Sequence, residues 1–396
     1  MTARELHIFL LAGEPSGDRL GARLMRALAA ETGGRVRFTG VGGEAMTAAG
    51  LDSLFDMRAL SVMGLAEVVP HLRQIARRLD AVVAAVREQR PDAVVTIDSP
   101  SFALRVQRRL AGSGIPRIHY VAPQVWAWKP WRARRLARDV DHLLTLLPFE
   151  PPLFTRHGLA ATFVGHPAVE APRATPNTVR AVRSDLAIPR AAPVLCVLPG
   201  SRQGEVARML PVFAETVAAL ARDIPGLHVV LPTLTGLAPV IERDTAAWPV
   251  PVRVLCGPDA TASAFACAQA ALAASGTVAL ELAVAGVPAI VAYRVHPATA
   301  AVVRRLIRVR HVSLPNIVLD RTVQPEYLQD ACRRDLLAPA LTTLLRDPDA
   351  RARHAAEGTA AARALGLDDA TPPSTRAARA VLATLESGVS PRASPV

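Results

Sequence analysis

Short runs of unbroken apolar residues recur along this chain, and each hands over to a longer stretch with helical spacing. A strand apolar on both faces must be covered on both sides, which is the condition of a parallel sheet between layers of helix. In the first half the strand candidates are Leu6–Ala12, Val36–Thr39, Ala93–Ile97, Arg117–Ala122, His142–Leu147 and Thr162–Val164. Helical patterns between them include Asp18–Glu31, His71–Glu88 and Phe102–Ala111. The alternation pauses after Pro167, where Glu170–Ala192, a proline-bearing segment of mixed charge, reads as a linker plus a short helix, and then restarts. Val194–Leu198, His228–Leu231, Val252–Leu255, Ala270–Ala274 and Ala289–Ala292 read as strands, with helices over Glu205–Ala221, Ser263–Ala268 and Val278–Ala285. The expected fold class is therefore α/β, with two Rossmann-like doubly wound domains in tandem and an interdomain cleft. The expected limits are a first domain over 1–168, a linker over 169–192, a second domain over 193–365, and a tail over 366–396 with one helix, Thr375–Leu385. Ligands of such sheets bind beyond the carboxyl ends of the strands.

Lys plus Arg number 46 against 34 Asp plus Glu, a net charge of +12, and the single lysine is Lys129. The excess is thus almost wholly guanidinium, whose planar fork suits phosphate. It favours anionic partners: nucleic acid, an anionic membrane face or phosphorylated substrates. Cys196, Cys256, Cys267 and Cys332 are far apart and form no CxxC pair, which argues against a zinc site or a disulfide framework and for a reduced, cytosolic setting. The apolar run Ile8–Ala12 is too short for the core of a secretory leader. No stretch reaches the ~18 apolar residues of a membrane-crossing helix, so membrane contact is expected to be peripheral.

Five segments carry candidate chemistry. Ala12 to Asp18 (AGEPSGD) follows the first strand and opens a helix, so Ser16 and Gly17 sit where backbone can approach a ligand; a plain strand-to-helix turn with Asp18 as cap or first-turn acid is the alternative. Asp98, in Thr96-Ile97-Asp98-Ser99-Pro100, stands where a carboxylate can face a ligand; the alternative is that Asp98 or Ser99 caps the helix that follows. Trp126, Trp128 and Trp131 crowd beside Lys129, Arg132, Arg134 and Arg135, a pairing suited to a wet–apolar boundary or to stacking on nucleic-acid bases; a helix start with tryptophan packed inward is the alternative. Leu198-Pro199-Gly200-Ser201-Arg202 offers a turn and a phosphate-binding guanidinium. Ser275, Gly276 and Thr277 form a second small-residue turn at a helix start, with Glu281 one helical turn on. The pairs Asp139/Asp141 and Asp347/Asp349 match a metal-binding DxD spacing but read as caps and turn formers.

Taken together, AGEPSGD, GVGGEAM (40–46), SVMGLAEV (61–68), IDSPSF (97–102), HYVAPQVWAWK (119–129), LLPFEP (146–151), VGHP (164–167), LPGSR (198–202), ASGTVALE (274–281) and SLPN (313–316) resemble the lipid-A-disaccharide synthase family, glycosyltransferases of the two-domain GT-B type. The resemblance implies transfer from UDP-2,3-diacylglucosamine to 2,3-diacylglucosamine 1-phosphate, giving a β(1→6) disaccharide 1-phosphate and UDP. It implies inversion, no metal or other cofactor, no nucleic-acid partner, and peripheral contact with the cytoplasmic face of the inner membrane. It makes Asp98 the base. Arg202, Ser275, Gly276 and Thr277 would hold the diphosphate, Glu281 the uridine ribose, and Asn316 would line the donor site. Ser16 and Gly17 would face the sugars. Val62, Met63 and Leu65, in an apolar stretch with Met57, Leu60 and Val68, together with Trp126 and Trp128, would meet acyl chains or bilayer; an ordinary core helix is the alternative for that stretch. Another GT-B transferase using a UDP-sugar and a membrane lipid acceptor is the nearest competing reading, and a non-catalytic nucleic-acid or membrane binder is a more distant one.

Overall fold

The computed structural model describes residues 4–60, 65–127, 131–274, 276–296 and 309–387. The chain divides into two compact units, one formed by Met1–Pro167 with Asp369–Val396 and the other by Ala168–Asp368.

The first unit holds a seven-stranded sheet in the order β3-β2-β1-β4-β5-β6-β7. Its strands are β1 (Leu6–Ala12), β2 (Val36–Val41), β3 (Leu51–Ser53), β4 (Ala93–Ile97), β5 (Arg117–Tyr120), β6 (His142–Thr145) and β7 (Ala160–Phe163). Every pairing is parallel. Residues Ile8 to Ala12 of β1 and all of β4 are closed to solvent, which is why both read as continuous apolar runs. Chain order runs outward in both directions from β1 and β4, whose registers meet at Ala12 and Ile97. Connections leaving the two central strands pass to opposite faces, so a crevice opens beyond their carboxyl ends.

The second unit repeats the plan with six parallel strands in the order β10-β9-β8-β11-β12-β13. These are β8 (Val194–Leu198), β9 (His228–Pro232), β10 (Val252–Leu255), β11 (Ala270–Ala273), β12 (Ala289–Tyr293) and β13 (Glu326–Leu328). Here the order reverses between β8 and β11.

The structure adds to the sequence expectation in two places and departs from it in a third. The helix expected in the tail is Pro373–Glu386; it packs on the Pro15–Glu31 helix, and Ala377, Ala378 and Val381 enter the first unit's core. Polar contacts fix it at the edges, with Arg379 gripping Glu31 through two nitrogens and Arg376 donating to the Val164 carbonyl. The segment read as a linker plus a short helix holds that helix at Pro176–Asp185, and it packs on the Ala260–Cys267 helix of the second unit. Of the DxD pairs, Asp347 caps the Pro348–Ala364 helix by accepting from the amides of Asp349 and Ala350. Asp139 and Asp141 are instead partners of arginines: Asp139 of Arg108 at 2.7 Å, and Asp141 of the buried Arg117 at 2.8 Å.

Candidate active site

In the first unit, the AGEPSGD turn leaves β1 and the Asp98-Ser99 turn leaves β4, so the two lie side by side at the reversal of strand order. Their contact is close. A Cβ on Gly13 would fall 2.7 Å from the Ser99 hydroxyl oxygen, and one on Gly17 would fall 3.3 Å from the Ile97 carbonyl. Asp98 and Ser99 both have left-handed backbone, with φ of 51° and 45°. Two successive non-glycine residues in that region are unusual, and such strain gathers where a side chain has to be aimed. The Asp98 carboxylate accepts the Ser99 amide at 2.8 Å, which holds the turn, and the side chain is half-buried. The helix that follows has no side-chain cap. Asp98 thus shapes a turn at a crevice but does not cap that helix.

The neighbours of Asp98 have divided roles. Ser16 is exposed at the start of its helix, whereas Gly17 is buried and serves close approach of that helix to β4. Asp18 does not cap its own helix. Its buried carboxylate accepts from the amides of Gly43, Ala45 and Met46, tying the GVGGEAM turn to the first one.

The VWAWK segment leaves β5, next in the sheet. Trp126 is half-buried, lies edge-on to Phe149 with centroids 5.5 Å apart, and donates its indole N–H to Glu150 at 3.1 Å. Glu150 also accepts the amides of Leu146 and Leu147 at 3.2 and 3.0 Å. Burial pushes its carboxyl up to about 7 against the pull of these three donors. The polar edge of Trp126 is thus held by Glu150, while its ring stays half-buried. Trp128, Val62 and Met63 lie outside the described residues. Leu65 opens the Leu65–Gln89 helix, and in the same apolar stretch Met57 is buried in the core with Leu60 packed against it.

In the second unit the two small-residue turns follow β8 and β11, the strands at that sheet's reversal. Ser201 and Arg202 are exposed. Glu205 reaches back to accept the Ser201 amide at 3.2 Å, lies 3.8 Å from the Arg202 guanidinium and accepts the Tyr293 hydroxyl at 3.2 Å. The Arg202 head is 74% exposed, so it is held near one acid yet open to an anion. Gly276 heads the Thr277–Ala285 helix at φ 147°, a geometry only glycine adopts without strain, and brings no side chain to cap it. Its exposed first amides point where an anion is favoured. Glu281 is half-buried on that helix. Ser275 lies outside the described residues.

Asn316 has a different task from the one expected. It is wholly buried. Its amide oxygen accepts from Val323 and Gln324, each at 2.8 Å, and its amide nitrogen donates to the Gln324 carbonyl and to Glu326, also at 2.8 Å. Ser313 donates to Gln324, whose own nitrogen reaches the Ala279 carbonyl. The SLPN segment is therefore a buried polar clamp beneath the Thr277–Ala285 helix, and Asn316, wholly buried, supports that helix through Gln324 and faces no open surface. Gln324 and Glu326, which complete the clamp, carry no motif in the sequence, and Glu150 and Glu205 stood out only as acids among apolar or turn residues.

A family model described as lipid-A-disaccharide synthetase matches residues 8–369. The chain belongs to the lipid-A-disaccharide synthase family. The synthase of Rhodospirillum centenum is 53% identical over 96% of this chain and 94% of that protein, and that of Paramagnetospirillum magneticum is 49% identical over 96% and 98%. The family's members are glycosyltransferases of lipid A biosynthesis, and this chain is such an enzyme. Solved structures share the fold at low identity. MurG of Acinetobacter baumannii has a TM-score of 0.57 at 14% identity, covering 96% of this chain and 99% of that one. An Anabaena protein in complex with UDP-glucose has 0.57 at 12%, covering 96% and 99%. The two parallel sheets and these likenesses make the fold GT-B.

Proposed function

We propose that the enzyme joins UDP-2,3-diacylglucosamine to 2,3-diacylglucosamine 1-phosphate, releasing UDP and the β(1→6) disaccharide 1-phosphate with inversion at the anomeric carbon. The observation that carries this reading is the strained Asp98 turn at the reversal point of the first sheet, inside a chain of this family. Asp98 takes the proton of the acceptor's 6-hydroxyl as that oxygen attacks the anomeric carbon from the side opposite the diphosphate. One displacement of this kind inverts the centre. Arg202 and the open amides at the start of the Thr277–Ala285 helix receive the charge growing on the departing diphosphate. Glu281 takes the ribose hydroxyls, and Ser16 faces the sugars. The Anabaena protein of like fold, solved with UDP-glucose, supports a UDP-sugar as donor class. Among the described residues no helix is long and apolar enough to cross a membrane. Both substrates are acylated, so the enzyme meets them from the cytoplasmic face of the inner membrane as a peripheral protein.

The test mixes purified protein with both acylated substrates in detergent, with and without EDTA. UDP release and a disaccharide mass are expected. Absence of product with the wild-type protein rejects the reading, and loss of product on EDTA addition alone rejects its metal independence.

A further inference from the structure

Of the tryptophan-arginine cluster, Trp126 is tied to Glu150 by its indole N–H. What remains is the Arg132–Asp139 helix and the residue ahead of it. From Ser99 to Arg138 the chain carries eight arginines, one lysine and no acid. On this helix Ala133, Leu136 and Ala137 are buried in a small apolar cluster with Phe154 and Leu159. Arg132, Arg134, Arg135 and Arg138 are exposed. At 100° per residue these four fall within about 160° of one another, so they share one face. Among the described residues, no ion pair or hydrogen bond engages the side chains of Arg134, Arg135 or Arg138. Trp131, at the head of the helix, is 60% exposed, and the Arg132 guanidinium stacks on its ring at 5.8 Å. The segment leaves the carboxyl end of β5, the neighbour of β4, so Trp131 belongs to the same sheet edge as Asp98.

We propose that the Trp131–Arg138 face is the enzyme's docking surface for an anionic phospholipid bilayer. This rests on the acylated-substrate reading above and names the surface that reading requires. Charge complementarity selects the occupant. Arg134, Arg135 and Arg138, without acidic partners among the described residues, beside one indole at the wet–apolar boundary, match a bilayer surface of phosphate headgroups over acyl chain. A nucleic-acid strand would be served better by several stacking rings in a groove than by one ring on a convex helix. Each arginine at such a surface is worth roughly fivefold in partition, so three together give about 100-fold. Docking there brings the acceptor-side edge of the first sheet to the membrane that holds the lipid.

The experiment measures sedimentation with phosphatidylglycerol–phosphatidylcholine vesicles, without substrate, beside turnover in detergent. The triple variant Arg134→Gln/Arg135→Gln/Arg138→Gln is expected to lose at least ~10-fold in vesicle affinity and to keep its detergent turnover. Trp131→Ala should weaken the binding that survives high salt. The variant Arg190→Gln/Arg222→Gln/Arg334→Gln removes the same charge from exposed positions in the second unit and should bind as wild type. Equal losses in both triples would reduce the effect to net charge and overturn the surface. So would vesicle binding unaffected by the first triple, loss of detergent turnover along with vesicle binding, or tighter binding of the same face to a single-stranded oligonucleotide. A wild-type protein inactive in detergent would strike the reaction and leave the vesicle result standing by itself.

Discussion

Replacing Asp98 separates the two jobs its position gives it. The carboxylate accepts the Ser99 amide at 2.8 Å, and the residue holds φ at 51°. A hydrogen bond to a charged acceptor is worth ~1.5–3 kcal/mol and a neutral one about 1. Asn keeps an acceptor oxygen and tolerates left-handed backbone, so Asp98→Asn is expected to cost about 1 kcal/mol. Ala loses the bond and adds roughly 1 kcal/mol of backbone strain, for about 2.5–4 kcal/mol in all. Gly loses the bond but relaxes the backbone, for about 1 kcal/mol. Stability should therefore run Asp, then Asn and Gly together, then Ala. Turnover should follow a different order, with all three at least ~100-fold down because each lacks the base. Three of the four tryptophans fall in the first unit's sequence, so urea unfolding followed by tryptophan fluorescence reads mainly that unit. UDP release in detergent reads turnover. An Asn variant within about threefold of wild-type turnover would refute the base assignment and leave Asp98 as a turn former. So would turnover that simply tracked stability across the three.

Gly13→Ala puts a methyl 2.7 Å from the Ser99 oxygen, and should cut turnover ~10-fold by displacing the Asp98 turn; Ser99→Gly in the same chain should restore part of it, a coupling of ~1 kcal/mol or more in a double-mutant cycle. Asn316→Ala strands the Val323 and Gln324 amides and should cost ~3–5 kcal/mol, read by chemical denaturation of the second unit, whereas a residue that only lined the donor site would raise KM with little change in unfolding. In the first unit, burial lowers His119 and His166 to about 4 and raises Glu150 to about 7. Between pH 5 and 6.5 the unfolded chain gains protons at the two histidines and loses one at Glu150, so stability should rise with pH by up to about 1.4 kcal/mol per unit. Glu150→Gln removes the opposing group and should steepen that slope in denaturation midpoints taken across this range; an unchanged slope would reject the raised carboxyl.

What the sequence made legible follows burial. Strands closed on both faces, such as Leu6–Ala12 and Val194–Leu198, show as unbroken apolar runs, and the structure places them at the same residues. The edge strands Leu51–Ser53 and Glu326–Leu328 are three residues of mixed polarity and leave no such trace. Asp98 and the turns after β8 and β11 were visible because glycine and small polar residues punctuate strand ends. The bond from Trp126 to Glu150 and the clamp around Asn316 were not, since sequence shows which groups are polar but not which partners satisfy them. Glu150 had only a weak signal, an acid between Phe149 and Pro151 in an apolar stretch. The destination of the tail helix was hidden for a related reason: an amphipathic pattern says that one face is covered, not by what.

That helix bears on how the chain comes off the ribosome. The first seven strands are synthesised early, yet Ala377, Ala378 and Val381, which cover the Pro15–Glu31 helix, emerge some two hundred residues later, after the whole second unit. The leading half must wait with part of its interior bare while the trailing half can already be complete. A nascent or prematurely terminated chain would accordingly be most open to chaperones and proteases along the Pro15–Glu31 helix, until the final segment arrives to seal it.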